Sequence, residues 1–238
     1  MFRNDTIAAI STGMTNSGIG VVRISGEDAV KVADRIFRKP NGRKLSEEKT
    51  FTIHYGHIYD EHEMKDAVLV MLMRGPRSYT AEDTVEIDCH GGVLVMRKIL
   101  ETVVKNGARL AEPGEFTKRA FLNGRIDLSQ AEAVIDVINA KNDYALKSSV
   151  NQLNGAMSRK VKELREKLIY EIAFIESALD DPEHISLEGY PEILHERLIP
   201  IKQEIEKLLA TADNGRVVRE GVKTGILGKP NAGKSSLM

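Results

Sequence analysis

Apolar residues recur with two different periods along this chain. In the first half they fall in short β-branched runs, and in the second at three- and four-residue spacing. The first pattern predicts strands over Thr6–Ile10, Ile19–Ile24, Phe51–Ile58, Ala67–Met73 and Thr84–Cys89, each bounded by Gly, Pro or Asn punctuation. Helices are predicted near Glu27–Phe37 and Val93–Asn106, the second closed by Gly107 just past its C-cap. This order is not a regular strand–helix–strand alternation, so the predicted class is α+β.

From about Thr117 the period lengthens. Val161, Leu164, Leu168, Ile172, Ile175 and Leu179 form one stripe of an amphipathic helix, which Asp181-Pro182 stops. Leu194, Leu198, Ile201, Ile205, Leu208 and Ala212 repeat the pattern to near Asn214-Gly215. Pro200 inside that stripe predicts a kink or a helix start. Such stripes are packing surfaces of a bundle-like region. The reading gives an α/β head over 1–118, a first part of a helical domain over 119–215 and a short third segment over 216–238.

Composition adds limits. A chain of 238 residues that is 42% hydrophobic and 29% charged can build a core. A formal net charge of −1 gives no global attraction to nucleic acid, so RNA contacts would need local patches. One cysteine, Cys89, excludes an internal disulfide and suits a reducing compartment. The first residues lack the apolar core of a signal peptide, and no apolar run approaches the ~20 residues of a membrane span. The expectation is a cytoplasmic protein with no membrane partner.

Candidate chemistry is clearest in the third segment. Gly228-Lys229-Pro230-Asn231-Ala232-Gly233-Lys234-Ser235 fits G-x-x-x-x-G-K-[ST], and Val222–Leu227 reads as the strand before it. In such a loop backbone N–H groups close around phosphates, lysine neutralises their charge and the hydroxyl reaches Mg²⁺. Only Ser236, Leu237 and Met238 follow. The chain is therefore expected to open a nucleotide-binding domain without containing one, and by itself to bind guanine nucleotides weakly and hydrolyse none.

Elsewhere the residues leave alternatives open. Gly18-Ile19-Gly20-Val21-Val22-Arg23 is not a dinucleotide fingerprint, because Arg23 stands where a third glycine belongs. Arg23 must find an anionic partner, either in a salt bridge at a sheet edge or in a ligand. Glu86 and Asp88 share a strand face, where they can face water, bind metal or bind polar ring nitrogens. Cys89-His90 lacks the further ligands that zinc requires. In Glu112–Ala133 a Pro-Gly turn leads to a short helix broken at Asn123-Gly124, with Ser129 as N-cap and Glu132 as its capping-box partner. Lys118, Arg119 and Arg125 there could bind an anion.

Several segments then converge. Val22-Arg23-Ile24-Ser25-Gly26, Ser78-Tyr79-Thr80 with Glu82-Asp83, His90-Gly91-Gly92, Pro113–Ala133, Arg219-Glu220-Gly221 and the phosphate loop occur in that order. Together they resemble the tRNA wobble-uridine modification GTPases of the MnmE (TrmE) family, over the whole chain and the N-terminal half of that family. The resemblance implies a folate-binding and dimerising domain (1–118), a helical domain (119–215) and the beginning of a Ras-like G domain (216–238). It also implies a homodimer that works with the flavoprotein MnmG as a heterotetramer on certain tRNAs. The pair modifies carbon 5 of the wobble uridine with a one-carbon unit from 5-formyl- or 5,10-methylene-tetrahydrofolate. K⁺-dependent pairing of G domains promotes GTP hydrolysis there. Carried over, the folate contacts are Arg23, Glu86 and Arg125. The GTP contacts are Asn231, Ala232, Gly233, Lys234, Ser235 and Ser236, with Asn231 also at K⁺ and Ser235 at Mg²⁺. The alternative is a folate-binding dimerisation module without GTPase activity.

Overall fold

The structure, a computed structural model, describes residues 5–220 together with 225, 227 and 228. The chain divides into two compact units, Met1–Ala131 and Glu132–Met238. Among the described residues there are seven helices and one mixed sheet, an α+β architecture.

The first unit holds the sheet. Its strands are β1 (Ile7–Ile10), β2 (Ile19–Ser25), β3 (Phe37–Arg38), β4 (Thr52–Asp60), β5 (Glu63–Met73), β6 (Thr84–His90) and β7 (Arg109–Leu110). They lie in the order β3-β4-β5-β6-β2-β1-β7, antiparallel except for the parallel β1–β7 pair. Alternation sends Val22 and Ile24, Val68, Val70 and Leu72, and Val85, Ile87 and Cys89 to one buried face. Helices α1 (Ala29–Ile36) and α2 (Val93–Lys105) cover it with Val32, Ala33, Ile36, Met96, Ile99 and Val103. Each large side chain buried there contributes about 1.5–3 kcal/mol. Gly20 of β2 lies against Met96 of α2, and any side chain at this position would collide with the methionine. The glycine in Gly18-Ile19-Gly20 thus serves packing. Gly107 follows α2 with φ 117°, the left-handed end expected of it.

Apart from shifts of one residue elsewhere, the strand boundaries differ from expectation at β5, which begins at Glu63 and not at Ala67, and at both ends of β4. Phe51 is outside β4, because its φ of 60° is incompatible with an extended ladder. At the other end β4 runs on to Asp60 through an irregularity between Ile58 and Tyr59.

Helix α3 (Glu115–Leu122) ends at Asn123, and Gly124 takes a φ of 69°. Helix α4 (Leu128–Asn139) starts one cap earlier than expected. Asp127 Oδ1 accepts from the Gln130 N–H at 2.9 Å, and Gln130 Oε1 accepts from the Asp127 N–H at 3.0 Å. The capping box is therefore Asp127 with Gln130. Ser129 is inside the helix and donates to Asp127.

The second unit is helical. It contains α5 (Asp143–Leu153), α6 (Ala156–Asp180) and α7 (Tyr190–Glu220). The α5 helix, not predicted from its short apolar pattern, is capped by Asn142, which accepts from the Ala145 N–H at 2.8 Å. Glu171 of α6 accepts from Tyr190 Oη at 2.6 Å and from Arg197 at 3.0 Å, tying α6 to α7. From the first stripe Leu164 is buried, whereas Val161, Ile172 and Leu179 remain exposed. Of the two alternatives at Pro200 the helix start is corrected, and so is the end near Asn214-Gly215: α7 spans 31 residues through both. A glycine costs about 1 kcal/mol in a helix and a proline about 3, and the length of α7 absorbs both.

Candidate functional site

The sheet face opposite α1 and α2 carries polar side chains in register. Arg23 of β2 pairs directly across from Glu86 of β6, and Arg23 Nε donates to Glu86 Oε1 at 2.6 Å. Both side chains are mostly covered, at 25% and 18% exposure. The salt bridge expected as one alternative for Arg23 exists, but on interior strands and not at an edge, since β2 lies between β6 and β1. The Arg23 guanidinium also lies 5.3 Å from the Tyr79 ring centroid and 5.5 Å from that of Phe116. Among the described residues its two Nη atoms and Glu86 Oε2 have no hydrogen-bond partner. Two donors and one carboxylate oxygen are thus held side by side. Asp88 shares the face; burial, and then the Glu86 charge, push its carboxyl above the usual range.

Arg125 reaches the same region from another direction. Its backbone N–H bonds Ala120 O at 2.8 Å, which folds the chain back over the end of α3. Its Nε donates to Ser78 O at 3.4 Å. Phe51, Met73, Pro76, Arg77, Ser78, Tyr79 and Arg125 line a cavity of about 320 Å³. Tyr79 is the shared element: its ring carries Arg23 and walls the cavity of Arg125, and its hydroxyl meets Thr117 Oγ1 of α3 at 2.8 Å. Tyr79 therefore stands between the Arg23–Glu86 pair, which it meets through the Arg23 guanidinium, and the cavity that Arg125 lines.

A cluster of ion pairs holds α3 in place. Arg109 donates to Asp5 at 2.5 Å and to Glu115 at 2.6 Å. Arg119 donates to Asp5 at 2.7 Å and to Glu82 at 3.2 Å. The Arg109 hydrogen bond is the main reason why the Glu115 carboxyl is lowered to about 2, against the opposing effect of burial. Asn123 Nδ2 donates to Thr80 O at 2.7 Å, fixing the segment that contains Tyr79. This corrects the anion-binding alternative for Arg119, which is buried and already satisfied by carboxylates. Lys118 is exposed on α3, and of the three cations Arg125 faces the cavity.

The nucleotide and metal positions Asn231, Ala232, Gly233, Lys234, Ser235 and Ser236 lie outside the described residues. So does most of the strand expected over Val222–Leu227. Gly225 and Leu227 carry no regular structure, and Leu227 is 97% exposed.

Residues 6–125 match the family described as "GTP-binding protein TrmE N-terminus" and residues 128–233 that described as "MnmE helical domain". The chain belongs to the MnmE (TrmE) family. Proteins named tRNA modification GTPase MnmE align along nearly all of it. That of Lachnoclostridium phytofermentans is 59% identical over 99% of this chain and 52% of its own length. That of Clostridioides difficile is 52% identical over 100% of this chain and 52% of its own. That of Geobacillus thermodenitrificans is 51% identical over 98% and 51%. The chain spans about half the length of these MnmE relatives.

Sequence reasoning missed the aromatic parts of the site. Tyr79 and Phe116 stand 37 positions apart in chain order, and nothing in either local pattern announces a shared arginine. A usable signal for Tyr79 was its place in a polar loop just before β6, where an aromatic ring has no strand to pack against.

Proposed function

We propose that this chain is the N-terminal part of a GTPase that modifies carbon 5 of the wobble uridine of certain tRNAs together with the flavoprotein MnmG. In this reading the first unit binds a reduced folate through Glu86, Arg23 and Arg125. The observation that carries it is Tyr79, whose ring meets the Arg23 guanidinium of the Arg23–Glu86 pair on one hand and walls the cavity of Arg125 on the other, with Glu86 Oε2 and the Arg23 Nη atoms unengaged among the described residues.

The residues fit such a ligand chemically. A carboxylate can accept paired hydrogen bonds from a pterin's amino group and ring N–H, and guanidinium forks match carboxylates. The Arg23 bond to Glu86 keeps the free carboxylate oxygen oriented. Tyr79 and Phe116 hold the guanidinium against rotation, and Tyr79 with Met73 offers an apolar wall. A bound 5-formyl- or 5,10-methylene-tetrahydrofolate would supply the one-carbon unit.

The relatives' name, tRNA modification GTPase, supports the activity of the whole protein. The phosphate-loop match supports Lys234 at the β/γ-phosphates, Ser235 at Mg²⁺ and Asn231 at K⁺. An exposed apolar patch on the sheet supports a homodimer through the first unit: Tyr55 and Leu69 pair across β4 and β5, with Ile53 beside them. No described helix is long and apolar enough to cross a membrane, and a cytoplasmic site of action is part of the proposal.

Calorimetric titration of the 238-residue chain with 5-formyl-tetrahydrofolate tests the folate site. Binding is expected, weakened at least about tenfold by Glu86→Gln and by Arg23→Met, in line with the loss of a charge-assisted pair. Equal binding by wild type and both variants would remove these residues from the site.

A further inference from the structure

The cavity of Arg125 contains a second guanidinium that the reading above leaves unused. Arg77 lines it with Arg125, and among the described residues no carboxylate does. Elsewhere in the chain Arg23, Arg74, Arg109, Arg119 and Arg197 each pair with an acidic side chain. Among the described residues Arg77 and Arg125 have no such partner. Unpaired arginines are ordinary on an open surface. Two of them in one cavity, over a floor of Met73, Pro76 and Tyr79, form a site for an anion with an apolar body.

Arg77 is also held in place. Its guanidinium lies 5.5 Å from the Phe51 ring centroid, and that ring lines the same cavity. Phe51 adopts a φ of 60° although it is a bulky side chain at 59% exposure, and its N–H bonds Leu72 O at 2.7 Å. A left-handed non-glycine residue is costly, and burial of the ring does not explain this one. What the conformation does achieve is to set an aromatic ring against Arg77 at the cavity wall.

We propose that Arg77 is a second anion-recognising residue of the folate site, taking one carboxylate of the ligand's glutamyl tail while Arg125 takes the other. The inference rests on the folate reading above and deepens it. A glutamyl group presents two carboxylates, and each matches a planar guanidinium fork. The aryl ring that precedes this tail in a folate suits the apolar floor between the two arginines. Arg77 thereby selects for the complete tail, and Glu86 and Arg23 for the pterin end.

The test compares 5-formyl-tetrahydrofolate with its glutamate-free analogue, 5-formyl-tetrahydropteroate, on the wild-type chain and on Arg77→Met. Arg77 is exposed, so the melting temperature should not move. The variant should bind the folate about tenfold more weakly and the analogue as the wild type does, a coupling specific to the tail. Equal folate affinity in wild type and variant, or an equal loss for both ligands, would overturn the role of Arg77 while the folate reading stands. A wild-type chain that binds neither ligand would overturn both.

Discussion

Asp127 shows how one side chain decides where an element begins. Its carboxylate accepts from Gln130 N–H and Ser129 Oγ at the start of α4, and Gln130 returns a bond to its backbone. Asp127→Ala should cost about 1 kcal/mol of stability, the usual value of a lost N-cap, and Ser129→Ala distinctly less. Chemical denaturation of the two variants checks the order; a larger loss for Ser129→Ala would restore serine as the cap. The misreading has a simple origin. Asp127-Leu128-Ser129-Gln130-Ala131-Glu132 contains two overlapping capping boxes, Asp with Gln and Ser with Glu, and only backbone direction separates them. Phe51 was illegible for a related reason: a β-prone side chain gave no sign of a left-handed backbone.

At the scale of elements, the ion cluster of Asp5, Arg109, Glu115, Arg119 and Glu82 locks α3 to the ends of β1 and β7. Apart from the i,i+4 pair of Glu115 and Arg119, it was not readable in advance, since Asp5 and Arg109 meet across 104 positions of sequence. Its pH dependence follows from the sign of the shift. The Glu115 carboxyl falls from 4.5 to about 2 on folding, chiefly through its Arg109 hydrogen bond. A depressed folded value stabilises above the unfolded one, and the contribution is lost as pH falls through the folded one. Stability should therefore decline between about pH 4.5 and pH 2. Glu115→Gln should flatten that limb and cost on the order of 2 kcal/mol at pH 7, chiefly because it removes the carboxylate that Arg109 holds through two hydrogen bonds. Urea midpoints for both proteins from pH 2 to pH 7 test this; parallel curves would show that Glu115 does not carry the acid sensitivity. The sheet that anchors this cluster was, by contrast, legible. Strands with one core face write a period of two into the sequence, and β2, β5 and β6 announce themselves through Val22–Ile24, Val68–Leu72 and Val85–Cys89. The two-residue strands β3 and β7 are too short to show any period.

For the whole molecule, the sheet face around Ile53, Tyr55 and Leu69 is apolar and exposed, and in the proposed function it pairs two copies of the chain. Leu69→Glu should convert a dimer to a monomer in light scattering while the far-UV circular dichroism stays that of the folded chain, because the side chain is solvent-facing in the single chain. A wild-type monomer at high concentration would remove the dimer from the account. The second unit shows the limit of stripe reading: helical period was evident over α6 and α7, but Pro200 and Gly215 were given more weight than a 31-residue helix allows them. For the candidate site, the charged residues were accessible to sequence and the aromatic rings were not. A charge buried in a strand demands a partner, whereas Tyr79 and Phe116 become meaningful only once α3 is docked beside β2. The claim on which the account turns is that Glu86, Arg23 and Arg125 serve one ligand. A crystal structure of the chain soaked with 5-formyl-tetrahydrofolate tests it most directly. Ligand density is expected in contact with all three side chains and against the Tyr79 ring; density elsewhere on the protein, with Arg23 still bound only to Glu86, would contradict that claim.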